Sequence, residues 1–153
     1  MPLHIYRYFR DKSDLVSSVV AAETKDINDL RRAALKGVRG LSNRVVRAME
    51  LAVELVSGDP FWASLAAPGN VPHTAYAAAR DPELATSNVE FWQPIFDDAL
   101  EAGELRPDID RNELLNWLLG LQFMFLERRE LFPDVADVGH YVRTFVVPAL
   151  SAS

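Results

Sequence analysis

Leu15, Val16, Val19, Val20, Ile27, Leu30 and Ala34 recur at three- and four-residue spacing, the period that sets side chains on one face of an α-helix. With Asp11 as its cap and Asp14 three residues on, this stripe predicts one long helix from about Lys12 to Leu35, closed near Gly37 or Gly40. A second stripe, Leu41, Val45, Met49, Ala52, Val53 and Val56, stops at Gly58. Asp59-Pro60 then supplies a cap and a proline in the first turn, where the missing N–H does no harm, and opens a short helix to Ala66. Pro68-Gly69-Asn70-Val71-Pro72 reads as a loop, because its prolines and glycine interrupt hydrogen bonding. Asp81-Pro82-Glu83 repeats the cap-plus-proline pattern ahead of Leu84, Phe91, Trp92, Ile95 and Ala99, with a stop at Gly103. Pro94, inside that helix, is expected to kink it or to leave a carbonyl unpaired. Asp110 and Glu113 form a capping-box pattern before a helix from Leu114 to about Leu131, and Asp134 opens a last one carrying Val135, Val138, Val142, Phe145 and Ala149. No run alternates polar and apolar residues long enough for a sheet, so the predicted fold class is all-α, a bundle of about six helices.

The helix that begins at Leu114 departs from the amphipathic pattern. Leu114, Leu115, Trp117, Leu118, Leu119, Leu121, Phe123, Met124, Phe125 and Leu126 leave it almost no polar face, and a helix apolar all round has to be covered on all sides. In a chain this small, a second copy is expected to supply one flank. The last two helices would then pair with their counterparts as a four-helix bundle in a homodimer.

Composition narrows the picture. With 153 residues and 49% apolar residues, the chain is long enough for one domain with a real core. It contains no cysteine, which removes disulfides, thiolate metal sites and a cysteine nucleophile, and fits a reducing, cytoplasmic setting. The start, Met1-Pro2-Leu3-His4-Ile5-Tyr6, lacks a secretory apolar run, and the longest apolar stretch, Leu114 to Leu126, is broken by Asn116, Gly120 and Gln122, so no membrane partner is expected. Arg7, Arg10 and Lys12 against Asp11 leave the first twelve residues at +2, so the remainder carries −8 of the net −6. A basic tip on an acidic body is the distribution of a phosphate-touching end.

The tip also carries a resemblance. His4-Ile5-Tyr6-Arg7-Tyr8-Phe9-Arg10-Asp11-Lys12-Ser13-Asp14-Leu15 resembles the end of the helix-turn-helix in TetR-family transcriptional regulators, where the recognition helix closes with a tyrosine and an aromatic pair and a lysine opens the connecting helix. Gly103-Glu104-Leu105-Arg106-Pro107-Asp108-Ile109-Asp110 is similar to the family's link between its seventh and eighth helices. The resemblance implies residues 1–11 as a remnant of the DNA-binding domain and residues 12–153 as a ligand-binding and dimerisation domain. It implies phosphate contacts by Tyr6 and Lys12, which position a protein on DNA without reading sequence. The family's two preceding helices and most of its recognition helix lie before Tyr6. Without them the chain is expected to bind DNA weakly or not at all, because a recognition helix needs its N-terminal residues in the major groove.

The resemblance further implies a cavity among the middle helices, closed by the eighth. The aromatic set Phe61, Trp62, Tyr76, Phe91, Trp92, Phe96, Trp117, Phe123 and Phe125, with Met49 and Met124, is core in an ordinary bundle. Within it Met49, Phe91, Trp92 and Trp117, on the inward stripes of their helices, are the side chains expected to bind a small apolar or aromatic effector. Glu23 falls on the first helix's stripe, either as an anchor for a polar group or at the stripe's edge, while His73 and His140 read as surface histidines. Arg31, Arg32, Lys36, Arg39, Arg44 and Arg47 form a basic stretch whose plainest reading is a solvated corner between helices. Asp97, Asp98 and Glu101 cluster without a histidine, the three histidines lack metal-ligand spacing, and neither a phosphate-cradling glycine loop nor a nucleophile elbow occurs. No enzyme, cofactor or metal is therefore expected. Three function classes remain: a ligand-responsive regulator acting as a repressor, a headless module that binds ligand or pairs with full-length relatives, and, last, an enzyme on a helical bundle.

Overall fold

The computed structural model describes residues 12–65 and 81–153, all of whose regular elements are helical. These are α1 (Lys12–Ala34), α2 (Leu41–Gly58), α3 (Pro60–Leu65), α4 (Pro82–Glu101), α5 (Arg111–Glu127) and α6, which joins the α-helix Val135–Tyr141, a π turn Val142–Val146 and a closing turn Val147–Leu150. Tyr6, the rest of the basic tip, the proline-flanked loop with His73, and Tyr76 lie outside the described residues. Lys12 opens α1 as expected, but its side chain also lies outside them. No helix among the described residues is long and apolar enough to cross a membrane.

The caps form where short acidic side chains precede the helices. Asp59 accepts the Phe61 and Trp62 amides at 2.9 and 3.5 Å, Asp81 those of Glu83 and Leu84 at 2.9 and 3.1 Å, and Asp110 that of Glu113 at 3.0 Å. Each satisfies an amide that has no partner inside its helix. At α6 the Asp137 carboxylate reaches back to accept the Asp134 amide at 3.0 Å. The helix at Pro94 continues unbroken from Pro82 to Glu101, with Pro94 itself exposed. α5 contains the whole apolar run to Leu126 and ends at Glu127, short of the expected end near Leu131. Leu131 lies instead in the following turn, where its amide donates to the Arg128 carbonyl.

α2 is the central helix and packs against α1, α3, α4, α5 and α6. Its start has no side-chain cap of its own, because Gly40 stands there. Glu104, from the link after α4, supplies one by accepting the Leu41 amide at 2.8 Å. The same link holds the chain's end, since Arg106 donates to the Leu150 carbonyl and Ala152 to the Glu104 carbonyl. Gly103 turns the chain into this link at φ 73°, with open space where a Cβ would stand. Gly103→Ala should therefore lose about 1 kcal/mol through left-handed strain alone, which lowers the thermal midpoint by about 2–4 °C. An unchanged melting curve would show that the link tolerates another backbone path.

In α6 Val138, Val142, Val146 and Leu150 are all buried at a strict spacing of four. A regular helix drifts by roughly 40° for each step of four. The wider π turn at Val142–Val146 unwinds part of that drift and keeps all four on the core side. The apolar interior itself is split. A large cluster joins α2, α4, α5 and α6, and a smaller one collects Val20, Ala21, Val56, Trp62 and Leu84 at the α1–α3 end.

Candidate functional site

A cavity of about 560 Å³ lies between the two apolar clusters, which Leu126 of its wall bridges, within the range of sites for small organic ligands. α1 contributes Thr24, Ile27, Asn28 and Arg31 to its wall, α2 contributes Ala52 and Val56, and α3 contributes Trp62. Leu84 and Asn88 face it from α4. α5 forms the longest side, with Leu115, Leu119, Phe123 and Leu126 apolar and Gln122 polar, while exposed Asn112, Asn116 and Gly120 belong to its rim. The uniform apolarity of α5 thus has an internal cause besides any partner. Leu114, Leu118 and Phe125 are buried in the core, and a second face lines the cavity.

At the centre of the wall stands Arg31, only 2% exposed. Its Nη2 donates to the Ala48 carbonyl of α2 and to Gln122 Oε1 of α5, both at 2.9 Å, and its Nη1 donates to Asn28 Oδ1 at 3.1 Å. Asn28 in turn donates to Ser87 Oγ and Asn88 Oδ1 of α4 at 3.1 and 3.2 Å. One guanidinium therefore ties α1 to α2, α4 and α5. The Ala48 carbonyl can serve because a backbone oxygen has a second lone pair beyond its helical bond. The guanidinium also lies over the Phe91 ring at 4.0 Å and near that of Trp92 at 5.4 Å, where the ring faces attract a cation.

All of these partners are neutral. Among the described residues no Asp or Glu lines the cavity and Arg31 forms no ion pair. Burial accordingly pushes the guanidinium well below its usual value, to about 9, which leaves it a cation at neutral pH. Two polar atoms of the cavity wall have no acceptor, Arg31 Nε and Trp62 Nε1. Both are donors.

None of the four side chains expected to contact an effector belongs to this wall. Met49 and Trp92 are fully buried and Phe91 nearly so, with Trp92 edge-on to Phe91 at 5.1 Å and stacked on Phe96 at 5.8 Å. An inward stripe is where helices pack most closely, so its largest side chains fill the core instead of bordering a void. Phe91 and Trp92 serve the site from behind, as the aromatic bed of Arg31. Trp117 is 42% exposed, on the opposite side of α5 beside Ala149 and Leu150.

The basic stretch also divides. Arg32 pairs with Asp29, Arg44 with Asp98 and Arg47 with Glu54, at 2.8, 2.9 and 3.2 Å. These are exposed pairs of the kind that contribute little. Arg31 alone among them turns inward, because the buried face of α1 runs through Val20, Ala21, Asn28 and Arg31. Relative to the apolar stripe it is rotated by about one residue, so Leu30 is 56% exposed and Glu23 only half-buried. Asp97 meets Arg111, so the acidic turn on α4 is a paired surface. His140 is exposed. The sequence held one trace of the site: Val20, Thr24, Ile27, Asn28 and Arg31 keep helical spacing while changing from apolar to polar along one face. Compared with known proteins, the chain matches no family model, no curated protein and no solved structure.

Proposed function

We propose that the protein is the effector-binding and dimerisation core of a ligand-responsive, TetR-like transcriptional repressor. The observation that carries this reading is the cavity of about 560 Å³ bounded on one side by α1 and closed by α5. α1 is the helix whose N-terminal end adjoins the sequence that resembles a DNA-reading head. A ligand in the cavity touches Ile27, Asn28 and Arg31 of α1 together with α4 and α5, so filling it changes the setting of α1 against the bundle. The shift follows only if the ligand binds one setting better than the other.

Pairing of two copies through α5 and α6 is supported by a second feature. Trp117 on α5, Leu131 in the following turn and Phe145 on α6 are 42%, 57% and 62% exposed. Phe145 lies one turn before Ala149, which adjoins Trp117, so the two aromatics share one side of the bundle. Native mass spectrometry of freshly purified protein tests both halves of the reading. A dimer is expected, with a small molecule retained in each subunit. A ligand-free monomer at micromolar concentration would remove the proposal.

A further inference from the structure

We propose that the ligand of the α1–α4–α5 cavity is an amphipathic monocarboxylate, held by its carboxylate on Arg31 and by its apolar body against Leu115, Leu119, Phe123 and Leu126 of α5. The proposal rests on the reading of this cavity as an effector site and adds the chemistry of the effector.

Charge and unfilled donors select the ligand's head group. A guanidinium taken out of water loses solvation that neutral acceptors restore only in part, and the strongest partner it can take is an anion in two-point contact. Arg31 has no anion among the described residues, and no acidic side chain belongs to the cavity wall. Three of its five N–H groups are held by Asn28, Ala48 and Gln122, and the Nε–H has no acceptor. The other unpartnered atom of the wall, Trp62 Nε1, is likewise a donor and 7% exposed. What completes the site is therefore an acceptor carrying negative charge, and a ligand whose polar group donates would leave both atoms as they are.

The Arg31 Nε–H is covered by its neighbours, so one carboxylate oxygen reaches it only as Gln122 moves aside. The other takes the Nη2–H by displacing Gln122 Oε1, a side-chain group that itself lines the cavity. The result is the two-point pairing for which a guanidinium is shaped. Arg31 is the one cation of the wall among the described residues, which suits one negative charge, and a dianionic phosphate would keep one charge unpaired. The apolar side chains of α5 then remove the ligand's body from water.

Three probes with one chain length and different heads test this on the whole protein by calorimetry at neutral pH: decanoate, decan-1-ol and decylamine. Decanoate is expected to bind roughly 10–100-fold more tightly than decan-1-ol, and decylamine, a cation like Arg31, weakest of the three. Arg31→Met should remove the preference for the acid over decan-1-ol, since methionine carries neither the charge nor the N–H donors. The wild-type comparison stands even if that variant does not fold. Equal binding of acid and alcohol would overturn the carboxylate while leaving an apolar effector site in place. Binding of none of the three would overturn the cavity as an effector site, and this proposal with it.

Discussion

Glutamate at both Trp117 and Phe145 is expected to turn the proposed dimer into a monomer at micromolar concentration without loss of helix. The two positions lie on one side of the α5–α6 pair, and each is already 42% or more exposed in the single chain. A two-fold axis would bring both copies of the patch together, so the double substitution places four carboxylates in one seam. Each must then be buried without a partner or keep the seam wet, and either outcome weakens association by at least about 100-fold. Stability of the single chain should change by about 1 kcal/mol or less, because exposed positions contribute little to folding. Sedimentation with circular dichroism separates the two effects. A dimer that survives the double substitution would place the interface elsewhere.

Trp92→Ala is expected to be the most damaging single change in the described residues, with a loss of about 3–5 kcal/mol in denaturant unfolding. Trp92 is fully buried, packs edge-on to Phe91 and flat against Phe96, and lies beside the buried guanidinium of Arg31. Removal leaves a hole where α1, α2 and α4 converge, and the total stability of a domain is only about 5–15 kcal/mol. The same experiment distinguishes core from pocket lining. A residue bordering a cavity gives up less on truncation, because its surroundings are already open on one side. A loss below about 1 kcal/mol would return Trp92 to the cavity wall.

The acidic caps, the stops at glycine and the proline-opened helices could be read directly because each depends on a few neighbouring residues. Asp59, Asp81 and Asp110 do at their helix starts what their spacing implies. Two expectations failed where neighbours do not decide. The helix expected to reach about Leu131 ends at Glu127, where the charged stretch Glu127-Arg128-Arg129-Glu130 begins. On α1 the apolar stripe and the buried face differ by about one residue, which exposes Leu30 and buries Arg31. A stripe of modest apolarity sets the face of a helix only within a residue or so, and the bonds of Arg31 to Ala48 and Gln122 fix it.

The periodicity and caps of this chain thus determine that it is helical and where most of its helices start. Which aromatic residues are solid core, which helices border a void and which of six neighbouring basic residues is buried were settled by packing alone. The reason is range. Helix boundaries come from contacts within about four residues, whereas the Arg31–Gln122 bond spans 91 positions and the cavity is walled by residues of five helices, from Thr24 to Leu126.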